Sequence, residues 1–385
     1  MPRTPTRVAH VSSAHPWTDN RVHLREAASL QDAGYEVLLI AVQTGEERLA
    51  TGTSTGTGTG TGVRLRLIPR RSRIARLTVS SAQALLLAVR SRASVVHLHD
   101  PELVWGIPLL RALGRRVVFD AHEDLPSQIM DKHYLPAAVR SAVAWAAGAL
   151  TAVASTSDHV VAATETIALR FPEGKTTVVK NYPRLRAQDA QLPELDQRPR
   201  AVVYVGAVSD SRGAEVMAAA VDDDHFPSGW HLSLAGHFVP AETERRFTDV
   251  DHPDRVEVHG KVTPPEARDL LVQARVGIVT LQDTVAYRDS LPTKMFEYMA
   301  AGLPVVASDF PLWRSILEPL DCATFVDQTS SAAVAAAVRL YADDPELTRR
   351  HGANARAAAL DDLNWSSQEA ELLGVYERLL EPSRG

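Results

Sequence analysis

The sequence predicts an α/β protein built from two doubly wound domains. Three observations carry this. The strand-like segments are short, nearly continuous runs of Val, Ile and Leu, as parallel strands covered on both faces require. They alternate with helix-like stretches from one end of the chain to the other. The alternation also restarts after a polar, proline-containing stretch near the middle. A length of 385 residues suits two or three domains at roughly 100–200 residues each. Hydrophobic residues make up 45% of the chain, so a packed core is expected rather than disorder.

In chain order, the expected strands of the first half are Arg7–Ser13, Glu36–Val42, Val63–Ile68, Ser94–His99, Arg116–Asp120, Leu150–Ser155 and Thr176–Lys180. A helix is expected from about Asp19 to Ala33. Leu24, Ala27 and Ala28 fall at i, i+3, i+4, and Gly34 stands where a left-handed cap belongs. Arg184–Arg200, with Pro193 and Pro199, reads as a linker. The second half offers Ala201–Gly206, Trp230–Gly236, Arg255–Gly260, Arg275–Leu281, Pro304–Ser308 and Ala323–Asp327. The expected division is 1–185, a linker at 186–200, and a second domain at 201–364. In such sheets ligands bind beyond the carboxyl ends of the strands, so functional residues should follow strands.

Several function classes are disfavoured. A net charge of −6 and a pI near 6.2 give no footprint for nucleic acid. The lone Cys322 builds neither a disulfide nor a thiolate metal site. The start of the chain lacks a basic-then-apolar leader, and the uncharged run Ser141–Ser157 is too rich in Ala, Ser and Thr to span a bilayer. A cytoplasmic protein is expected. Thr51–Gly62 alternates Thr and Gly, a surface insertion that cannot supply G-x-G-x-x-G spacing. Arg70, Arg71, Arg73 and Arg76 precede an apolar helix at Leu77–Val89. That pattern reads as a solvated helix start, or as a weak peripheral membrane contact.

The segment Asp289–Ser308 carries the most chemistry. A loop with Pro292 opens a helix whose first turn holds Lys294, and Gly302-Leu303-Pro304 ends it before a buried strand. Unpaired N–H groups at that helix start, with the Lys294 charge, make a seat for phosphate. Glu297 has acceptor oxygens for a ribose diol. The residues alone also allow an ordinary capped helix with a solvated carboxylate.

This segment resembles the signature of retaining glycosyltransferases with two facing Rossmann-like domains, the GT-B architecture, and specifically family GT4. The family pattern is E-x7-E followed by a stretch like F-E-Y-M-A-x-G-x-P-V-V. Here Glu297 is the second acid, and Asp289 stands at the first position. Val203–Gly213 is similar to the family's donor-phosphate loop, with Gly206 and Arg212, but Ala207 where a basic residue is usual. Leu234–His237, with Gly236, and Val258–Val262, with Lys261, resemble turns that receive the nucleotide base. His97–Pro101 and Phe119–Glu123 look like the family's H-x-H-D and D-x-H-E stretches, and His10–Arg21 like its first loop.

The resemblance implies a metal-independent transfer of sugar from a nucleotide-diphosphate donor to an acceptor such as a small natural product, a lipid or a surface polysaccharide. It assigns His122, Asp289, Arg212 and Lys294 to catalysis. The donor would meet Gly206, Arg212, Gly236, Lys261, Val262, Leu291, Pro292, Thr293, Lys294 and Glu297. The acceptor side would hold His15, Asp19, Arg21, His99, Asp100 and Glu123. The final segment, 365–385, would cross back to the N-terminal domain. Three alternatives stay open: a sugar-nucleotide epimerase of the same fold, a non-catalytic sugar-nucleotide binder, and a hydrolase with a metal on His97 and His99, completed by His122 or Glu123.

Overall fold

The computed structural model describes residues 5–45, 61–122, 137–185 and 191–381. Two compact units are present. One comprises residues up to Asn181 together with those from Trp365 onward, and the other is Tyr182–Asn364.

In the first unit, β1 (Arg7–Pro16), β2 (Glu36–Val42), β3 (Arg64–Ile68), β4 (Val95–Leu98), β5 (Arg116–Ala121), β6 (His159–Ala162) and β7 (Thr176–Val178) form one parallel sheet ordered β3-β2-β1-β4-β5-β6-β7. In the second, β8 (Ala201–Val205), β9 (His231–Ala235), β10 (Val256–Gly260), β11 (Val276–Val279), β12 (Val305–Ser308) and β13 (Ala323–Val326) form a parallel sheet ordered β10-β9-β8-β11-β12-β13. The strand order reverses between β1 and β4, and again between β8 and β11. Those two switch points are where doubly wound sheets open a crevice.

Each sheet is buried on both faces. Val96, Leu98, Val117 and Phe119 belong to one core, while Val8, Val37, Val95 and Val118 belong to the core on the opposite face. This explains why the strands read as unbroken apolar runs rather than alternating ones. The final helix, Trp365–Leu380, completes the second of these cores. Its Trp365 Nε1 donates to Ser29 Oγ at 2.8 Å, and Tyr376 OH shares a 2.8 Å hydrogen bond with His97 Nδ1.

Three expectations change. Leu150–Ser155 is not a strand: the helix Ala137–Ala154 runs through it, and the strand is β6, a turn later. Alanine's helix propensity prevails there, and Thr151 is accommodated with its hydroxyl donating to the Ala147 carbonyl at 3.0 Å. The helix expected at 19–33 forms as a π-helical stretch, Asn20–Ala27, leading into Ala28–Asp32. Its wider turns bury Arg21, His23, Arg25 and Glu26 together. The polar stretch read as a linker packs onto the second unit through its described residues. Leu195 joins that unit's core, and buried Arg198 donates to the Ala301 carbonyl at 3.0 Å. Nearly all of Thr51–Gly62 lies outside the described residues. Among them, no helix is long and apolar enough to cross a membrane.

Candidate active site

In the second unit, three backbone turns meet at the ends of β8, β9 and β10. Gly206 N–H donates to the Ala235 carbonyl at 2.8 Å, and Gly236 N–H to the Gly260 carbonyl at 2.7 Å. The approach is so close that a Cβ on Gly236 would stand 1.7 Å from the Gly206 oxygen, so no larger residue fits. After Gly206 the chain makes a 3₁₀ turn, Asp210–Arg212, and enters the helix Ala214–Asp222 through Gly213.

Lys294 is the informative side chain here. It lies in the first turn of the helix Thr293–Ala300, and its Nζ is buried with no hydrogen-bond partner among the described residues. The ammonium rests 3.5 Å above the ring of Tyr204, and a Cβ on Gly206 would come within 2.9 Å of it. Burial pushes its pKa well below the usual lysine value, and the nearby Arg212 charge pushes the same way against a smaller opposing pull from Glu297. A cation in this state gains strongly from an anionic ligand. The positive end of the same helix, which begins at Thr293, would add to that gain.

Arg212 is half-buried, with Nε 3.5 Å from the hydroxyl of Tyr287. Tyr287 belongs to the loop that carries Asp289. Ser290 Oγ donates to the Tyr287 carbonyl at 2.9 Å, and buried Trp313 Nε1 donates to the Ser290 carbonyl at 2.8 Å. Asp289 itself is exposed at the end of the short helix Val285–Arg288. Leu291, Pro292, Thr293 and Glu297 are half-buried around the start of the Lys294 helix, as is Val262, while Lys261 is exposed after β10. Tyr298 OH accepts from the Val205 N–H at 2.9 Å, tying that helix to the end of β8. Tyr204, Tyr287 and Trp313 escape sequence reasoning, because each reads as an ordinary apolar or loop position.

The ends of β1, β4 and β5 in the first unit carry a different arrangement. Arg21 is buried and grips Asp120 through Nε and Nη2 at 3.0 and 2.7 Å; Nε also lies 3.0 Å from Glu26, while Nη1 donates to the Val179 carbonyl at 2.9 Å. Asp120 also meets His99 Nδ1 at 3.1 Å and His122 Nδ1 at 3.4 Å. Burial raises its pKa, but the Arg21 charge and these donors prevail and hold it well below the carboxylate range. Of the residues read as acceptor-side, Arg21 is held inside this network, while His99 joins it and also lines the cavity described below. Asp100 is buried too, accepting from Ser12 Oγ and Ser13 N–H at 2.7 and 2.6 Å.

Nearer the surface, His15 lies 3.4 Å from Asp19 and 3.3 Å from Asp100. Burial works against its charge, yet these two carboxylates raise its pKa to about 9. Asp19, which also caps the π-helical stretch, is lowered to about 2. His122 stands beside His15, ring centres 5.0 Å apart. It lines an open cavity whose walls are mostly apolar, including Val104, Phe119, Leu150, Ile167 and Phe171. Glu123 lies outside the described residues. His97 and His99 share a face, as the strand period requires, and with His10 and Glu26 they gather their ligating atoms within 4.8 Å. All four are fully buried.

Two doubly wound units of parallel strands are the architecture of the GT-B fold. The chain belongs to the glycosyltransferase group 1 family: the model for Glycosyl transferases group 1 matches residues 199–344, and that for the Glycosyl transferase 4-like domain matches 20–181. One curated relative is an MMP α-(1→4)-mannosyltransferase of Mycolicibacterium hassiacum, 28% identical over 185 residues. That match takes in 48% of this chain and 44% of the relative, so the chain spans less than half of that relative's length. Among solved structures, a sucrose-phosphate synthase from Thermosynechococcus elongatus matches with a TM-score of 0.73 at 19% identity, over 97% of this chain and 99% of that one. Anabaena HepE in complex with UDP and glucose matches with a TM-score of 0.72 at 14% identity, over 97% and 100%. At those identities the likeness speaks to fold.

Proposed function

We propose that this glycosyltransferase takes its sugar from a nucleoside-diphosphate donor and transfers it with retention, without a metal. The carrying observation is Lys294 Nζ, buried and unpartnered beside the Gly206 turn, with the Arg212 charge close by. Breaking the anomeric bond places negative charge on the departing diphosphate. A preorganised cation in a water-poor site stabilises that charge most as it develops. Arg212, Lys294 and the helix N–H groups supply the positive potential that a divalent ion supplies elsewhere. Glu297 would hold the ribose diol, and Asp289 a sugar hydroxyl. The binding of UDP and glucose by Anabaena HepE supports a uridine or related donor. In a retaining transfer, the acceptor oxygen bonds to the anomeric carbon on the face the diphosphate leaves. Its proton passes to the leaving phosphate oxygen.

The first unit would serve the acceptor, with His122 and His15 at the mouth of the apolar-walled cavity. Those walls favour an acceptor with an apolar portion, a lipid or natural product, over a wholly polar glycan. A hydrolase through His97 and His99 fits less well, because a hydrolytic metal needs an open position for water and substrate, and that cluster is sealed.

The test is calorimetric titration with UDP, GDP and dTDP and their sugars, with and without EDTA. One nucleotide should bind with chelator present, and Glu297→Gln should weaken it by about 1.5–3 kcal/mol, the worth of a charged acceptor. The anomeric configuration of the product, read by proton NMR, checks retention. An inverted product, or turnover lost with EDTA and restored by zinc or manganese, overturns the mechanism.

A further inference from the structure

Two adjacent residues at the end of β8 hold the helix Thr293–Ala300 at two points one turn apart. The Val205 N–H donates to the hydroxyl of Tyr298 at 2.9 Å, and the Tyr204 ring lies 3.5 Å beneath the Lys294 ammonium. Residues four apart on a helix share a face, so Tyr298, once tied to Val205, turns Lys294 to the same strand end. Tyr204 itself is fixed. It is fully buried and shares a core of the second unit with Val208, Met217 and Leu234. Its hydroxyl donates to the Ala207 carbonyl at 2.7 Å.

The kind of partner matters here. A carboxylate against Lys294 would hold the ammonium but neutralise it, and an arriving diphosphate would have to displace that carboxylate. The face of an aromatic ring attracts a cation through its quadrupole and carries no net charge. The ammonium is then held in place with its charge still to be met. Burial favours the uncharged amine, and the ring opposes that loss of the proton. Arg212 is treated alike: its Nε lies 3.5 Å from the Tyr287 hydroxyl, and the Tyr204 hydroxyl is also close by. No ion pair joins either cation to a carboxylate among the described residues.

We propose that Tyr204 is a positioning residue for the transfer: its ring seats the Lys294 ammonium at the Gly206 turn, charged and without a counter-ion, until a diphosphate meets it. Being fully buried, Tyr204 acts through Lys294 and not by touching the donor. Room for the ammonium above the turn exists because residue 206 has no side chain, since a Cβ there would stand 2.9 Å from Nζ. The face of the ring carries the role and the hydroxyl is secondary, so phenylalanine should replace Tyr204 where leucine cannot. The part played in transfer rests on the donor reading above; the seat itself does not.

The experiment joins NMR to calorimetry on the full chain. With only five lysines, protein labelled at the lysine ε-carbon gives a simple spectrum, in which Lys294 is assigned by its loss in Lys294→Met. Protons held over a ring face shift upfield, so the Lys294 ε-protons should stand upfield of those of the other four. That displacement should persist in Tyr204→Phe and vanish in Tyr204→Leu. Of UDP, GDP and dTDP, the one that binds the parent most tightly should bind Tyr204→Leu at least tenfold more weakly, and Tyr204→Phe within about threefold of the parent. Added to Lys294→Met, Tyr204→Leu should cost no further affinity, because the ammonium it seats has already gone. An unshifted Lys294 signal in the parent overturns the seat, and it does so even where Tyr204→Leu fails to fold. Equal losses in the Phe and Leu variants, or full additivity with Lys294→Met, overturn it too. A parent that binds none of the three nucleotides strikes the donor reading and the role in transfer, while the shift still decides the seat.

Discussion

Arg21 and Lys294 are both buried cations, and the two units treat them in opposite ways. Arg21 is held by Asp120, Glu26 and the Val179 carbonyl. Lys294 has an aromatic ring beneath it and no acceptor among the described residues. A charge surrounded by its own partners is part of the framework, and removing one partner leaves the other stranded. A charge held without partners is costly to the fold unless a ligand completes it. The contrast separates structural from functional electrostatics more sharply than residue type does.

The largest expected effect is on the paired side. Asp120→Ala leaves Arg21 buried without its main counter-charge and should destabilise the first unit by about 3–5 kcal/mol, read by denaturant unfolding. A loss under about 1 kcal/mol would mean the network is not a framework. On the unpaired side, Lys294→Met should lower kcat/KM by about 10²–10³, the worth of one preorganised charge donor. Its melting temperature should hold or rise, because a desolvated ammonium has gone. Intact activity with a lowered melting temperature would reverse the comparison.

A smaller effect tests the loop between Tyr287 and Trp313. Asp289→Ala should slow transfer at least tenfold, about 1.4 kcal/mol, while nucleoside diphosphate alone binds as before. Asp289→Glu should keep transfer or alter donor choice. If both variants match the parent in rate and donor choice, Asp289 is only a solvated loop residue.

The smallest effect concerns His15 and its carboxylates. Its folded pKa of about 9 lies above the ordinary 6.5, so its stabilisation is fully present below about pH 6.5 and is lost as pH rises through 9. Asp19, lowered to about 2, keeps its contribution above about pH 4 and loses it as pH falls through 2. Melting temperature should therefore drop between about pH 6.5 and 10 by the equivalent of about 1 kcal/mol, discounted for partial exposure. In His15→Asn that drop should largely vanish; an undiminished drop would place the titrating group elsewhere.

Much of this was legible because it is local. The Val, Ile and Leu runs announce parallel strands wherever both sheet faces are covered, and the expected strands of the second half all stand within a residue or two of β8–β13. The order of residues from Asp289 to Ser308 marks a helix start with a cation in its first turn, and that helix begins at Thr293. The strand misplaced at Leu150–Ser155 was less legible, because a short apolar run flanked by Ser and Thr has no period that separates helix from strand.

What the sequence by itself determined, then, is the α/β class, the placement of most strands and the helix that offers Lys294, since propensity, patterning and turn chemistry act over a few residues. Only the tertiary structure decided which charges are spoken for. Arg21 meets Asp120 across 99 residues, His97 meets Tyr376 across 279, and Lys294 meets the Tyr204 ring from another strand end. The physical reason is that a side chain's partner is set by which strands lie adjacent in the sheet. That adjacency, unlike a helix cap or a strand period, is written nowhere in the spacing of a single segment.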